Sequence, residues 1–201
     1  MNKSVVAAFD FDGTLTRGDT FLPFLKLLDG NFNYVYRMGR LSPVLIGYGM
    51  GMVSNHYAKA RVVKQFLSGR QLLETERIAK DFVAQQLPGF INQAALTRLR
   101  WHQQQGHRCV LVSASLECYL RPWAQIMGIT DVIGTRLQSI NGIYTGELLG
   151  ANCYGVEKAS RLMELIGDRA SCTLYAYGDS KGDQELLALA DFAYYRRIPQ
   201  A

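Results

Sequence analysis

Apolar residues along this chain change their period twice. Ser4 to Phe9 (SVVAAF) is an unbroken apolar run containing two β-branched residues, the pattern of a central parallel strand buried on both faces. It stops at Asp10-Phe11-Asp12-Gly13-Thr14. From residue 20 to 87 nothing alternates as a strand would: Phe21, Phe24, Leu25 and Leu28 recur at helical spacing, a Tyr/Met/Gly-rich segment follows, and residues 56–67 and 72–87 read as helices. Pro88-Gly89 breaks that pattern, and residues 92–105 form a further helix closed by Gly106. Strand and helix patterns then alternate: strand 107–112, helix 116–127, a short strand at Val132-Ile133, and a hairpin over 137–148 turning at Asn141-Gly142. Helix 156–166, strand 172–177, helix 184–190 and strand 192–195 complete the chain. Such alternation predicts an α/β fold with an open parallel sheet, residues 1–19 and 88–201, interrupted after its first strand by an all-helical subdomain, residues 20–87.

Composition narrows the classes. Of 201 residues, 48% are hydrophobic and 19% charged, which excludes a disordered or acidic solvating chain. The four cysteines are widely separated and form no C-x-x-C pair, so reduced thiols and a cytoplasmic location are expected. The apolar run at 5–9 is too short for a signal peptide. The most lipid-like stretch, residues 41–53, holds a Pro and three Gly and is too short to span a bilayer. Formal charge is +5, and the helical block carries nine basic against four acidic residues. That block predicts a surface attractive to anions: a phosphorylated substrate or, as a peripheral contact, an acidic membrane face. No nucleic-acid-binding spacing is present, so nucleic acid is not an expected partner.

In open parallel sheets, ligands bind beyond the carboxyl ends of the strands. The residues falling there are Asp10 and Asp12, Ser113, and Asp179. Two carboxylates two residues apart in extended chain face the same side and repel one another, and a hard dication such as Mg²⁺ relieves that repulsion. An Asx turn into Gly13-Thr14 is the structural alternative. Ser113 or Ser115 either caps the next helix or offers a hydroxyl to a phosphate. Lys158 falls in the first turn of a helix, where cations are disfavoured, and is otherwise a surface lysine. Asp179 and Asp183 in Gly178-Asp179-Ser180-Lys181-Gly182-Asp183 either cap a helix or bind metal. Together the set supplies a nucleophile, an acid/base, a metal site, a hydroxyl and a cation, the requirements of phosphoryl transfer.

With DFDGTLT at 10–16, VLVSAS at 110–115, Lys158 and YGDSKGD at 177–183, the chain resembles the haloacid dehalogenase superfamily of aspartyl phosphatases. Its branch near phosphoserine phosphatase carries a helical cap after the first motif. The resemblance implies a Rossmann-like core, a Mg²⁺-dependent phosphomonoesterase, and a small phosphorylated substrate. Matched by position, Asp10 is the nucleophile that forms an aspartyl-phosphate, and Asp12 is general acid and then base. Ser113 and Lys158 hold the phosphoryl oxygens. Mg²⁺ is bound by Asp10, the main-chain carbonyl of Asp12 and Asp179, with Asp183 adjacent or one shell out. Asp19 stands where phosphoserine phosphatases carry a cap-proximal Glu. Two departures imply a different ligand shape: Ala114-Ser115 replaces two glycines, and Lys181 replaces a small residue. An apolar, basic cap also suits a lipid head-group phosphate. Two other readings predict different chemistry: a phosphorelay receiver, and a non-catalytic module binding anions or membrane through the basic block.

Overall fold

A computed structural model describes residues 3–199. β1 (Ser4–Phe9) forms the middle of a five-stranded sheet with β2 (Arg108–Leu116), β3 (Asp131–Thr135), β6 (Cys172–Gly178) and β7 (Phe192–Tyr195), in spatial order β3-β2-β1-β6-β7. Every pairing in this sheet is parallel. Central position explains the unbroken apolar run: Ala7 and Phe9 enter one buried cluster, and Val6 and Ala8 the opposite one. α6 (Val156–Ile166) and α7 (Gln184–Ala188) contribute Leu162, Leu186 and Leu187 to the second cluster. The first is shared by α4 (Gln93–Gln104), α5 (Glu117–Ile126) and the three helices that follow β1.

Those three are α1 (Phe21–Gly49), α2 (Asn55–Leu67) and α3 (Leu72–Gln85). They share a core with the sheet: Phe24 of α1 and Phe82 of α3 pack on Tyr119 of α5, with ring centroids 5.0 and 5.7 Å away. The Tyr/Met/Gly-rich stretch, which carried no clear period, continues α1 as helix to Gly49. Gly30, at φ +75°, bends it. Pro43 cannot bond the Gly39 carbonyl four residues back, and the Ser42 hydroxyl donates to that carbonyl instead at 2.8 Å.

The hairpin of β4 (Leu137–Ile140) and β5 (Ile143–Leu148) turns at Asn141 and Gly142, both at positive φ, as a type I′ turn requires. It stands apart from the main sheet and bonds the α2–α3 connection: Gly69 N–H donates to the Tyr144 carbonyl, and Tyr144 N–H to that of Arg70. β2 runs four residues past its expected end, through an irregular register, so that Leu116 pairs with Thr135. Ser113 and Ser115 therefore lie near the carboxyl end of a strand, and α5 begins only at Glu117.

Below the sheet sits a buried polar network. The Tyr177 hydroxyl lies 2.9 Å from Arg98 Nε, which donates to it, and 2.8 Å from His102 Nε2; His102 Nδ1 is 2.8 Å from His107 Nδ1. Burial, then Arg98 and His107, lower the His102 imidazole to about 3. An unfolded histidine takes up its proton near 6.5, so below that pH the unfolded chain binds a proton that the folded chain refuses. This contribution is absent above 6.5 and destabilises progressively between 6.5 and 3. Urea midpoints compared at pH 7 and pH 5.5 are expected to fall further for the native chain than for His102→Gln; an equal fall contradicts it.

Candidate active site

Asp10 follows β1 directly and is tied to the sheet by its own N–H, which donates to the Tyr177 carbonyl at 2.9 Å. The chain then winds tightly through Phe11–Leu15, where Gly13 adopts φ +81°. A Cβ at Gly13 would fall 2.3 Å from Asp179 Oδ2, so glycine is required both for the turn and for the approach of Asp179. Asp10 is 4% exposed. Thr14 Oγ1 donates to its Oδ2 at 3.3 Å, and Lys158 Nζ sits 2.5 Å from its Oδ1.

Lys158 is no surface lysine. At 2% exposure it reaches from the first turn of α6 into the carboxylates, bonding Asp183 Oδ1 at 2.6 Å as well as Asp10. Burial on its own would lower its ammonium, but the two carboxylates outweigh burial and raise it. Burial likewise pushes the Asp10 carboxyl up to about 7, with Lys158 opposing and Asp183 adding to the rise.

Asp183 is fully buried and both caps and pairs. Its Oδ2 accepts from Asp179 N–H, Ser180 N–H and the Ser180 hydroxyl at 3.2, 2.9 and 2.8 Å, and its Oδ1 is taken by Lys158. It closes a capping box with Ser180 and lies beside the nucleophile candidate.

The carboxylates of Asp10, Asp179 and Asp183 offer oxygens all within 4.8 Å of one another. Asp179 Oδ1 is buried and has no hydrogen-bond partner. An orphaned, half-ionic oxygen beside a second buried carboxylate fits a hard dication taking oxygen ligands, which this donor set supplies. Asp183, its oxygens already hydrogen-bonded, holds Lys158 and the main chain of Asp179 and Ser180.

Asp12 departs from the simple expectation of two carboxylates side by side. Because the chain turns at once, its carboxylate leaves the cluster: Oδ1 accepts from Thr20 N–H at 2.8 Å and the Thr20 hydroxyl at 2.6 Å, and Oδ2 from the Ser115 hydroxyl. Burial and the charge of Asp19 push its carboxyl up, and the Ser115 and Thr20 bonds resist. Ser113 Oγ accepts from Ser115 N–H at 3.0 Å and faces the same cavity.

That cavity, about 440 Å³, lies beyond the carboxyl ends of β1, β2 and β6 and brings Asp10, Asp12, Ser113, Lys158 and Asp179 together. Asp19 is on its wall but exposed, its Oδ2 accepting Leu22 N–H at 2.9 Å at the start of α1. Phe21, Leu22, Leu45 and Tyr48 of α1 and Lys59 of α2 form the roof. Lys59 Nζ stands 3.1 Å from the centre of the Phe21 ring, and burial lowers its ammonium to about 8 against the pull of Asp12 and Asp19. Lys181 is exposed and lines no part of the cavity, which corrects the expectation that it reshapes the ligand space. Of the two motif departures, only Ala114-Ser115 reaches the site.

Thr20 and Ser115 grip Asp12. Ser115 was legible as a cap candidate and as a replacement of glycine near the ligand, but not as a partner of Asp12; Thr20 had no signal beyond its place ahead of α1.

Carboxylates, hydroxyl and lysine converge at the carboxyl end of a parallel sheet, where ligands of open α/β folds bind. The haloacid dehalogenase-like hydrolase model matches residues 7–188, and the chain belongs to that family. Protein CicA of Caulobacter vibrioides is 38% identical over 97% of this chain and 87% of its own length. Phosphoserine phosphatase SerB1 of Mycobacterium tuberculosis is 26% identical over 96% of this chain and 65% of its own. The solved structure of a phospho-aspartyl intermediate analogue of phosphoserine phosphatase superposes with a TM-score of 0.61 at 16% identity, covering 94% of this chain and 84% of the other.

Proposed function

We propose that the chain is a Mg²⁺-dependent phosphatase that hydrolyses a small phosphomonoester through an aspartyl-phosphate on Asp10. The observation that carries this reading is the meeting of Lys158 with Asp10 and Asp183 beside the unpartnered oxygen of Asp179. Family membership and the names of SerB1 and the phosphoserine phosphatase structure support it.

In this reading an Asp10 oxygen attacks phosphorus as the bond to the leaving alcohol breaks. Asp12, its carboxyl raised by burial, gives its proton to the departing oxygen. Once the alcohol has left, Asp12 takes a proton from water, the water oxygen bonds phosphorus, the bond to Asp10 breaks, and inorganic phosphate is released. Ser113 and Lys158 hold the phosphoryl oxygens, and Asp183 holds Lys158. Asp10, Asp179 and the main-chain carbonyl of Asp12 would hold Mg²⁺, whose charge offsets repulsion between the nucleophile and a phosphate dianion. Residues 20–87 form the cap over the cavity, with Asp19 the cap-proximal acid on its wall. Its roof, apolar apart from Lys59, Asn55 and the Tyr48 hydroxyl, selects a leaving group with an apolar part and an anionic one.

Phosphate release tests this directly. Activity on p-nitrophenyl phosphate is expected to vanish with EDTA and return with Mg²⁺. Asp12→Asn is expected to slow an alkyl phosphate about 10²- to 10⁴-fold. p-Nitrophenyl phosphate, whose leaving group needs no proton, should be slowed far less at the first step. Equal losses in the rate of leaving-group release at the first step contradict the general-acid role, since the second step is common to both substrates, and turnover unaffected by EDTA contradicts the metal.

A further inference from the structure

The second half of α1 is apolar on both sides. Inward, Leu41 and Leu45 join the core. Outward, Phe32, Val35, Tyr36, Ile46 and Met50 are exposed, Phe32 at 85% and Met50 at 67%. At about 100° per residue these five fall within about 60° of one line along the helix, with Gly39 and Pro43 filling the gaps. The stripe from Phe32 to Met50 is about 27 Å long at 1.5 Å per residue. Exposed Met52, at 70%, continues it into the following loop. An aligned apolar strip of this length is more than the scattered surface hydrophobes of an ordinary folded chain.

Charge says what covers it. Of the six Lys and Arg in residues 30–73, Arg37 and Arg70 pair with Asp29, Lys64 pairs with Glu147 and Lys59 lines the cavity, which leaves Arg40 and Arg61. Arg40, on the edge of the stripe, and Arg61 of α2 are exposed and pair with no carboxylate among the described residues. A second copy is disfavoured as the occupant: a two-fold interface would set this cationic segment against itself. An anionic bilayer satisfies both features, taking apolar side chains into the acyl boundary and the cations at its head groups. Tyr36 carries a polar tip suited to that boundary. The stripe also adjoins the cavity, since Leu45 and Tyr48, flanking Ile46, line it.

We infer that the outer face of α1 is a docking surface for an anionic phospholipid bilayer. No helix among the described residues is long and apolar enough to cross a membrane, so the contact is peripheral.

The test is co-sedimentation of the full chain with phosphatidylcholine vesicles, with and without roughly 30 mol% phosphatidylglycerol. The chain is expected to pellet with the anionic vesicles, to remain in solution with phosphatidylcholine alone, and to be released by high salt. The triple variant Phe32→Ser/Ile46→Ser/Met50→Ser and the single variant Arg40→Glu should each partition about tenfold less, with their circular dichroism and p-nitrophenyl phosphate turnover unchanged. Failure of the native chain to pellet with anionic vesicles overturns the proposal, as does a serine variant that pellets like it. If sedimentation equilibrium shows a dimer that the serine substitutions dissociate, and vesicles capture nothing, the face belongs to a second copy. Because binding is read without catalysis, its failure leaves the phosphatase reading standing, and loss of phosphatase activity leaves the binding result intact.

Discussion

Asp10→Asn is expected to release inorganic phosphate about 10⁴-fold more slowly than the native chain, or slower still, while remaining folded. An amide is nearly isosteric with the carboxylate but does not form a stable bond to phosphorus at neutral pH, so the first step is lost at any substrate concentration. Folding survives because Lys158, the one group that would be left charged and buried, keeps Asp183 at 2.6 Å. Thr14 also retains an acceptor in the new side chain's oxygen. A thermal midpoint within a few degrees of native, with no burst of leaving group in rapid-quench measurements, is the expected result. A burst equal to the enzyme concentration in this variant moves the nucleophile elsewhere.

Lys158→Met is expected to act on stability as strongly as on turnover. Among the described residues its ammonium is the only cation bonded to two buried carboxylates, at 2.5 and 2.6 Å. Removing one member of a buried ionic cluster leaves the others uncompensated, at a cost of about 3–5 kcal/mol in metal-free protein. Methionine fills the space, so the loss is electrostatic and not a cavity. The double variant with Asp10→Asn separates these explanations: with one carboxylate already neutral, Lys158→Met should cost measurably less than in the native background. Additive losses in urea denaturation would argue that packing, not charge, carries the effect. Phosphate release by Lys158→Met should be undetectable in either background, since the phosphoryl oxygens lose their cation.

The buried strand, the acidic turn that ends it, the helical run from residue 20 and the alternation after residue 106 were all written in local patterns. Apolar periodicity reflects which faces are buried, and Asp-Gly and Asn-Gly mark turns by conformation alone. Asp10 at the mouth of β1 followed from that, as did Asp179 after β6. Local pattern failed at the end of β2, which runs on because Leu116 finds Thr135.

Which groups meet was decided only by the tertiary fold. Lys158 lies 148 residues from Asp10, and its pattern was that of an exposed first-turn lysine until the packing of α6 on the sheet buried it between two carboxylates. Asp12 looked like Asp10's twin, but the turn at Gly13 sent its carboxylate to Thr20 and Ser115. Spacing along a chain sets only the direction in which neighbouring side chains leave the backbone. Their partners come from segments that the sheet order brings together, and burial then makes each of those charges costly unless it is met.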